Sequence, residues 1–294
     1  MNTMLVDSHF HIFKKNESQP NSRYVIDYDA SIEEWFTLTK PLGITNGIMI
    51  QPSFLGTDNS HLLQTIKRHP EAIRGIGVVE PSTSKNELLE FKKEGVAGIR
   101  LNLFEDQNPH HSIERYAQVL DHLRDVGMHL EIHHSDGLLN DLLLKIPQGI
   151  EIVIDHFGRP KTNDEFLKNE GGIDKHREHI WVKLSAQYRS KHIDHHAVFQ
   201  YWLTKIGRSR LLWGSDWPHT GYESSQSYSQ QLSALIKLVN DQKLSQQILS
   251  ENPRNLYWSS ASKTHASASH HPSPTQIRDD SSYRWFRILY PFKL

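Results

Sequence analysis

An aspartate and two histidines alternate along the apolar run at residues 5–13, as Asp7, His9 and His11. Side chains at alternate positions of a β-strand point to the same face, so the pattern predicts one face that carries all three. Imidazole nitrogens can bind a divalent metal, transfer protons or contact a substrate. An isolated pair of this kind occurs in many strands and does not choose among these roles.

More groups of this chemistry follow later apolar runs. His156 stands in a DHFG segment, Asp216 in a GSDWP segment, and His133 and His134 end the run at 129–135. Imidazoles and a carboxylate gathered at one place suit either a divalent metal or acid–base catalysis. The competing interpretation is a set of hydrogen-bonded histidines with a structural role.

Eight short apolar runs, with helical patterns between most of them, predict the elements that would position these groups. The runs are 5–13, 45–53, 73–81, 96–104, 129–135, 150–157, 180–188 and 210–218, and the clearest helical patterns are 31–43, 59–70, 84–95 and 112–127. Strands that alternate with helices indicate a parallel sheet, and eight units in about 250 residues is the size of a (β/α)8 TIM barrel. A doubly wound sheet is disfavoured because no glycine-rich phosphate loop follows the first run.

The polar positions of three predicted strands indicate what faces the inside of this barrel. Arg100 and Asn102 alternate with apolar residues, and so do Lys183, Ser185 and Gln187. The fifth run is expected to turn His129, Glu131 and His133 inward, with His133 nearest the mouth. Active sites of this fold lie at the carboxyl ends of the strands, so these ends are the candidate site.

Composition limits the classes of protein to consider. The 294 residues include 20 histidines and no cysteine, which excludes disulfides and thiolate chemistry, and the net charge of −1 gives no bulk attraction to nucleic acid or an anionic membrane. No apolar run reaches the roughly 20 residues of a membrane span, and no signal pattern opens the chain, so a cytoplasmic protein is expected. Residues 1–258 form the predicted single barrel domain, and 259–294 a Ser/His-rich linker and aromatic-basic tail, predicted to be poorly ordered.

Six motifs, in order, carry a resemblance to a known family. VDSHFHIF, QPSFLGTDN, GIRLNL, VIDHFGRP, KLSAQYR and GSDWPH resemble the pattern of the amidohydrolase-related lactonases, which include enzymes acting on pyrone dicarboxylates, sugar lactones and sulfomuconolactones. The resemblance covers about residues 4–258. It implies a hydrolase that opens a carboxylated lactone by attack of water on the ester carbonyl.

The resemblance also implies a role for each matching residue. Asp216 would be the general base that activates water, and His9, His11 and His156 would polarise the carbonyl. Substrate contacts would come from Arg100, Arg159, Arg189, Ser53, Thr57 and His133. For each arginine the alternative is pairing with a local carboxylate, and for Ser53 and Thr57 it is a cap or turn. His219 either lines the mouth or lies on a surface loop.

Cofactor and reaction stay open at this point. Members of the family work without a metal or with zinc, so we expect either no required cofactor or one divalent metal, held by His9, His11, His133, His156 and Asp216. The expected partner is a small anionic substrate, and the oligomeric state is not predicted. The alternatives are a metal-dependent, non-oxidative decarboxylase of the same superfamily and a non-catalytic barrel that binds a metal or ligand.

Overall fold

Eight parallel strands form the sheet of this computed structural model, which describes residues 4–20, 22, 24–168 and 170–258. The strands are β1 (Leu5–Phe10), β2 (Ile44–Ile50), β3 (Ile73–Gly77), β4 (Val96–Leu103), β5 (His129–His134), β6 (Ile152–Ile154), β7 (Ile180–Lys183) and β8 (Leu211–Leu212). Each pairs with the next along the chain, and Ser8 N donates to Trp213 O at 2.8 Å where β8 meets β1. The predicted (β/α)8 barrel is confirmed.

Helices lie between the strands and after β8. They are α1 (Ile32–Thr39), α2 (Ser60–Arg68), α3 (Lys85–Lys93), α4 (Pro109–Arg115), α5 (Ala117–Val126), α6 (Leu139–Lys145), α7 (Glu165–Lys168), α8 (Gly171–His176), α9 (His195–Ile206), α10 (Tyr228–Val239), α11 (Gln242–Gln246) and α12 (Asn252–Tyr257). Ser31 and Ser84 open α1 and α3 with reciprocal capping boxes. The helix predicted over 112–127 is instead two helices that meet at Tyr116, whose hydroxyl donates to Val79 O.

The barrel interior changes from apolar to polar along its axis. Its lower layer is apolar, built from Val6, Ile48, Ile50, Ile76, Val153, Trp181, Leu212 and Tyr257. Above it lie the charged and imidazole side chains that end at the mouth, and the larger apolar core packs between strands and helices. The polar groups are therefore held inside a wall that apolar packing stabilises on both sides.

All eight strands are shorter than their apolar runs, and at β6 and β8 the difference places site residues. β6 ends at Ile154 and β8 at Leu212, although the predicted runs continue to 157 and 218. His156 and Asp216 have φ of 50° and 58°, which is left-handed backbone that cannot continue a strand. Such strain costs roughly 1–3 kcal/mol per residue and is concentrated at functional sites.

Asp7 does not share a face with His9 and His11, so this part of the sequence prediction is wrong. A bulge in β1 between Asp7 and Phe10 interrupts the alternation that the prediction assumed. The Asp7 carboxylate points to the helix layer, where Trp35 of α1 and Tyr228 of α10 donate to it at 3.1 and 2.9 Å. It still supports the histidines through the His9 amide, which donates to it at 3.1 Å.

The predicted tail lies outside the described part of the chain, at residues 259–294. Among the described residues, no helix has both the length and the apolar character needed to cross a bilayer.

Substitution of Asp7 tests whether its carboxylate joins β1 to the two helices and to the segment after β8. Ser215 adds two further donors, its amide at 2.8 Å and its hydroxyl at 2.7 Å. Asp7→Asn replaces one acceptor oxygen by a donor, so we expect a loss of about 3 kcal/mol in the free energy of unfolding, measured by urea denaturation. Asp121→Asn, exposed on α5, is the control and should change it by less than about 0.5 kcal/mol. Equal losses in both variants would contradict this role.

Candidate active site

A cavity that is partly open to solvent lies at the carboxyl ends of the strands. It is lined by His11, Tyr24, Pro52, Ser53, Phe54, Arg100, Asn102, His133, His156, Arg189, Asp216 and Thr220. Seven of the ten site residues predicted from the sequence are in this lining. His9 lies directly beneath it, fully buried.

Three histidines surround one oxygen of Asp216. The Nε2 atoms of His9 and His11 are 3.2 Å apart, and each lies 3.6 Å from Asp216 Oδ1. His156 Nε2 lies 4.0 Å from the same oxygen. The convergence of strands 1, 6 and 8 that the motifs predicted is present in the structure.

The outer nitrogens of two of these rings have defined partners. His11 Nδ1 lies 2.9 Å from the carbonyl oxygen of Ile50, which can only accept, so this nitrogen donates. His156 Nδ1 lies 2.9 Å from the Ser185 hydroxyl, which can donate or accept. These contacts orient both rings so that Nε2 faces Asp216.

The other oxygen of Asp216 is held by two neighbours on the loop after β7. Arg189 Nε donates to Oδ2 at 2.7 Å, and the Tyr188 hydroxyl donates to the same oxygen. Burial alone would raise the pKa of Asp216, but the Arg189 charge and the histidines hold it well below its usual value. The carboxylate is therefore ionised at neutral pH and oriented with Oδ1 towards the histidines. Sequence reasoning missed Tyr188, whose only signal was its place beside Arg189 in KLSAQYR.

A layer of buried charges supports His9 from below. Lys183 Nζ lies 2.5 Å from Glu131 Oε2, 3.3 Å from Asp155 Oδ1 and 3.2 Å from His9 Nδ1. Arg100 donates to Asp155 through Nη2 at 2.7 Å and Nε at 3.0 Å. The inward orientation of Arg100, Glu131 and Lys183 is confirmed, and the Arg100–Asp155 pair is the pairing with a local carboxylate that the sequence offered as the alternative for each arginine. The pairing of Lys183 with Glu131 was not predicted.

The pKa values of the two carboxylates in this layer, Glu131 and Asp155, are shifted in opposite directions. Burial and the neighbouring Asp155 charge raise the pKa of Glu131 to about 7. For Asp155 the effect of burial is outweighed by Lys183 and Arg100, which hold its pKa well below the usual value. Asp155 therefore carries the stable negative charge beneath His9.

The buried histidines of the site are neutral at pH 7. Burial lowers the pKa of His156 to about 3 and the pKa values of His9 and His133 well below their usual value. A neutral imidazole offers one donor and one acceptor, and it is the form that binds a metal. These rings can therefore act as hydrogen-bonding groups or as ligands.

Two predicted substrate contacts are not in the cavity lining. The turn after β6 carries Arg159 to Asp136, with Nε and Oδ1 2.7 Å apart, and its guanidinium lies over the Phe104 ring at 4.8 Å. The Thr57 hydroxyl donates to Glu80 at 3.2 Å. Their expected substrate contacts therefore remain predictions without support from this geometry. His219 is buried and lines a neighbouring groove between 24–29 and 217–228.

The donor atoms of His9, His11 and Asp216 fit a divalent ion. They lie within 4.8 Å of one another, as do those of a second group, His9, Asp155 and His156. Two nitrogens bound to one zinc at about 2.0–2.1 Å are roughly 3.3 Å apart, close to the His9–His11 separation. His133, expected as a fifth ligand, is in neither group among the described residues.

The fold and the site together define a parallel barrel with a histidine and aspartate centre at its mouth. The chain belongs to the amidohydrolase family, whose sequence model matches residues 6–258. It is 29% identical to 4-sulfomuconolactone hydrolase of Rhizobium radiobacter over 274 residues, covering 85% of this chain and 89% of that protein.

Two further proteins are similar over most of the chain. A 2-pyrone-4,6-dicarboxylate hydrolase of Comamonas testosteroni is 25% identical over 276 residues, 86% of this chain and 90% of that protein. The crystal structure of a probable 2-pyrone-4,6-dicarboxylic acid hydrolase from Acinetobacter baumannii matches with a TM-score of 0.79 and 30% identity, covering 87% of this chain and 99% of that one. The family resemblance of the six motifs is confirmed.

The buried histidines predict how stability depends on pH. Burial lowers the pKa of His129 to about 3, whereas an unfolded histidine titrates near 6.5. The unfolded state therefore binds more protons below about pH 6.5, and the free energy of unfolding should fall as the pH falls. In His129→Phe this fall should be shallower by up to about 1.4 kcal/mol per pH unit.

Urea denaturation between about pH 5 and pH 7 measures this slope. His111→Phe, at an exposed position of α4, is the matched control. A slope in His129→Phe as steep as that of the wild type would contradict a neutral buried His129.

Proposed function

We propose that this protein is a hydrolase that opens a carboxylated lactone by attack of water on the ester carbonyl. The observation that carries the proposal is the position of Asp216, whose Oδ2 is held by Arg189 while Oδ1 faces three histidines at the cavity. The hydrolases of sulfomuconolactone and pyrone dicarboxylate among its relatives support this reaction class.

Asp216 acts as the general base. Its ionised Oδ1 takes a proton from a water molecule, and the hydroxide oxygen bonds to the ester carbonyl carbon. The resulting tetrahedral species loses its bond to the ring oxygen, which takes up the proton. The product is a hydroxy acid or its keto form, and one water is consumed for each ring opened.

The developing oxyanion needs donors that are already in place. His9 presents an Nε2–H when Lys183 donates to its Nδ1, across 3.2 Å. His156 presents an Nε2–H when the Ser185 hydroxyl donates to its Nδ1. These two rings provide the electrophilic side of the site without carrying a positive charge of their own.

The same residues fit a role with a metal. His9, His11 and Asp216, with His156 close by, would hold a divalent ion, which supplies Lewis-acid polarisation of the carbonyl and a water of lowered pKa. In that form His9 Nδ1 would donate to Asp155 Oδ1, 3.2 Å away, instead of accepting from Lys183.

The substrate is proposed to be a small anion. Arg100 and Arg189 both line the cavity, and although Asp155, Asp216 and the carbonyl of Thr220 occupy their Nε and Nη2 donors, the positive charges and the Nη1 donors suit an anion. Ser53, at the start of the short turn after β2, adds a hydroxyl to the same lining. The similar Acinetobacter protein was crystallised with citric acid bound, which supports an anion-binding family site.

A panel of carboxylated and neutral lactones tests this function and its cofactor together. We expect the carboxylated lactones to be opened with release of one proton each, recorded in weakly buffered solution before and after chelation and after return of zinc. Activity unchanged by chelation would assign polarisation to the imidazoles, and loss restored by zinc would assign it to the ion. Release of carbon dioxide from aromatic acids would instead support the decarboxylase alternative. Ligand binding without any turnover would support the non-catalytic alternative.

Asp216→Asn tests the proposed base with little change of shape. Asparagine tolerates the left-handed backbone of this position and keeps the size of the side chain. We expect kcat to fall by about 10²–10⁴-fold, with KM changed by much less. Asp125→Asn, exposed on α5, is the control, and kcat near the wild-type value in Asp216→Asn would exclude this residue as the base.

A further inference from the structure

One ring nitrogen in the wall of the cavity has no partner among the described residues. His133, at the mouth end of β5, is 8% exposed, and its Nε2 is buried without a hydrogen bond. The ring lies in the cavity lining beside Asn102 of β4, its direct neighbour in the sheet register. Buried polar atoms are rarely left unpaired, so this one indicates a ligand or a water.

The contacts of Asn102 establish which nitrogen of His133 carries the proton. The amide N–H of Phe104 donates to Asn102 Oδ1 at 3.3 Å, so this atom is the amide oxygen. His133 Nδ1 lies 3.1 Å from the same oxygen, which can only accept. Nδ1 therefore donates, and Nε2 of the neutral ring presents a lone pair.

The surroundings keep the ring neutral and fixed. Burial and the neighbouring Arg100 charge lower the pKa of His133 well below its usual value. The ring is stacked on Phe104 with centroids 5.3 Å apart and an angle of 8° between the planes. His133 Nε2 is consequently a positioned acceptor rather than a donor.

An acceptor in this place changes what the cavity can recognise. A carboxylate offers only lone pairs and would be repelled by the Nε2 lone pair, so the expected contact of His133 with a substrate carboxylate does not follow. A hydroxyl carries a proton of its own and can donate it to Nε2. An acceptor left unmet in a buried site is unfavourable, which favours such a ligand over one without the hydroxyl.

We propose that His133 Nε2, with its tautomer set by Asn102, is a subsite for a hydroxyl group of the substrate, so that the protein acts on carboxylated lactones that also carry a ring hydroxyl. This inference rests on the proposed lactone hydrolysis for the substrate class, whereas the subsite itself rests on the hydrogen bonds of Asn102 and Phe104.

The tautomer can be measured without any substrate. Nitrogen-15 NMR of the labelled protein, with the His133 signals identified by their loss in His133→Phe, should show a protonated Nδ1 and an unprotonated Nε2 near neutral pH. A protonated Nε2, in either the other tautomer or the imidazolium, would overturn the proposal.

A matched set of three ligands tests the specificity. The set is γ-butyrolactone γ-carboxylate and its hydroxylated derivatives at each of the two free ring positions, compared by kcat/KM and by calorimetric Kd. We expect the wild type to prefer one hydroxylated lactone, and His133→Phe, which keeps a ring against Phe104, to reduce that preference at least about 10-fold. His111→Phe, the exposed control, should retain it.

The outcomes separate the two proposals. If none of the compounds is hydrolysed, the proposed function fails for this class, while a hydroxyl preference in Kd that is lost in His133→Phe still supports the subsite. Equal Kd and kcat/KM for all three compounds in the wild type, or an equal loss for all of them in His133→Phe, would overturn the subsite and leave lactone hydrolysis standing.

Discussion

The site depends on a balance of charge buried below it. Lys183 and Arg100 face Asp155 and Glu131 inside the barrel, and only this pairing makes four ionisable groups tolerable where water is excluded. His9 lies on this layer and contacts both an ammonium and a carboxylate through one nitrogen. Whichever of the two it bonds decides whether its other nitrogen presents a proton or a lone pair to the reaction centre.

The packing of the barrel fixes the position and orientation of the Asp216 carboxylate. A carboxylate in water is free to rotate and is fully hydrated, but here Arg189 and Tyr188 hold one oxygen and leave the other to the histidines. The left-handed backbone at Asp216 and His156 turns both side chains across the mouth. The local strain is sustained because eight paired strands and the apolar layers around them stabilise the surrounding fold.

Much of the fold could be predicted because its signals are local. Apolar runs, serine caps and helix-ending glycines each reflect neighbouring residues, and all eight strands occur where the runs predicted them. The strand prediction was wrong where tertiary structure interrupts the two-residue alternation of side chains along a strand. The bulge in β1 turns Asp7 away from His9. The strands β6 and β8 end before their apolar runs do, because the chain turns into the mouth of the barrel.

The sequence by itself determined the barrel, the family and the set of residues His9, His11, His156 and Asp216, because the apolar runs that form strands, and the residue types that follow them, can be recognised without the tertiary structure. Only the tertiary structure decided partners: Tyr188 on Asp216, Lys183 under His9, and Asp136 rather than the cavity for Arg159. The tertiary structure also decided which nitrogen of His133 carries the proton. His133 Nε2 is an acceptor because Phe104 and Asn102 make it one, and hydrogen-bond direction arises only when distant strands meet.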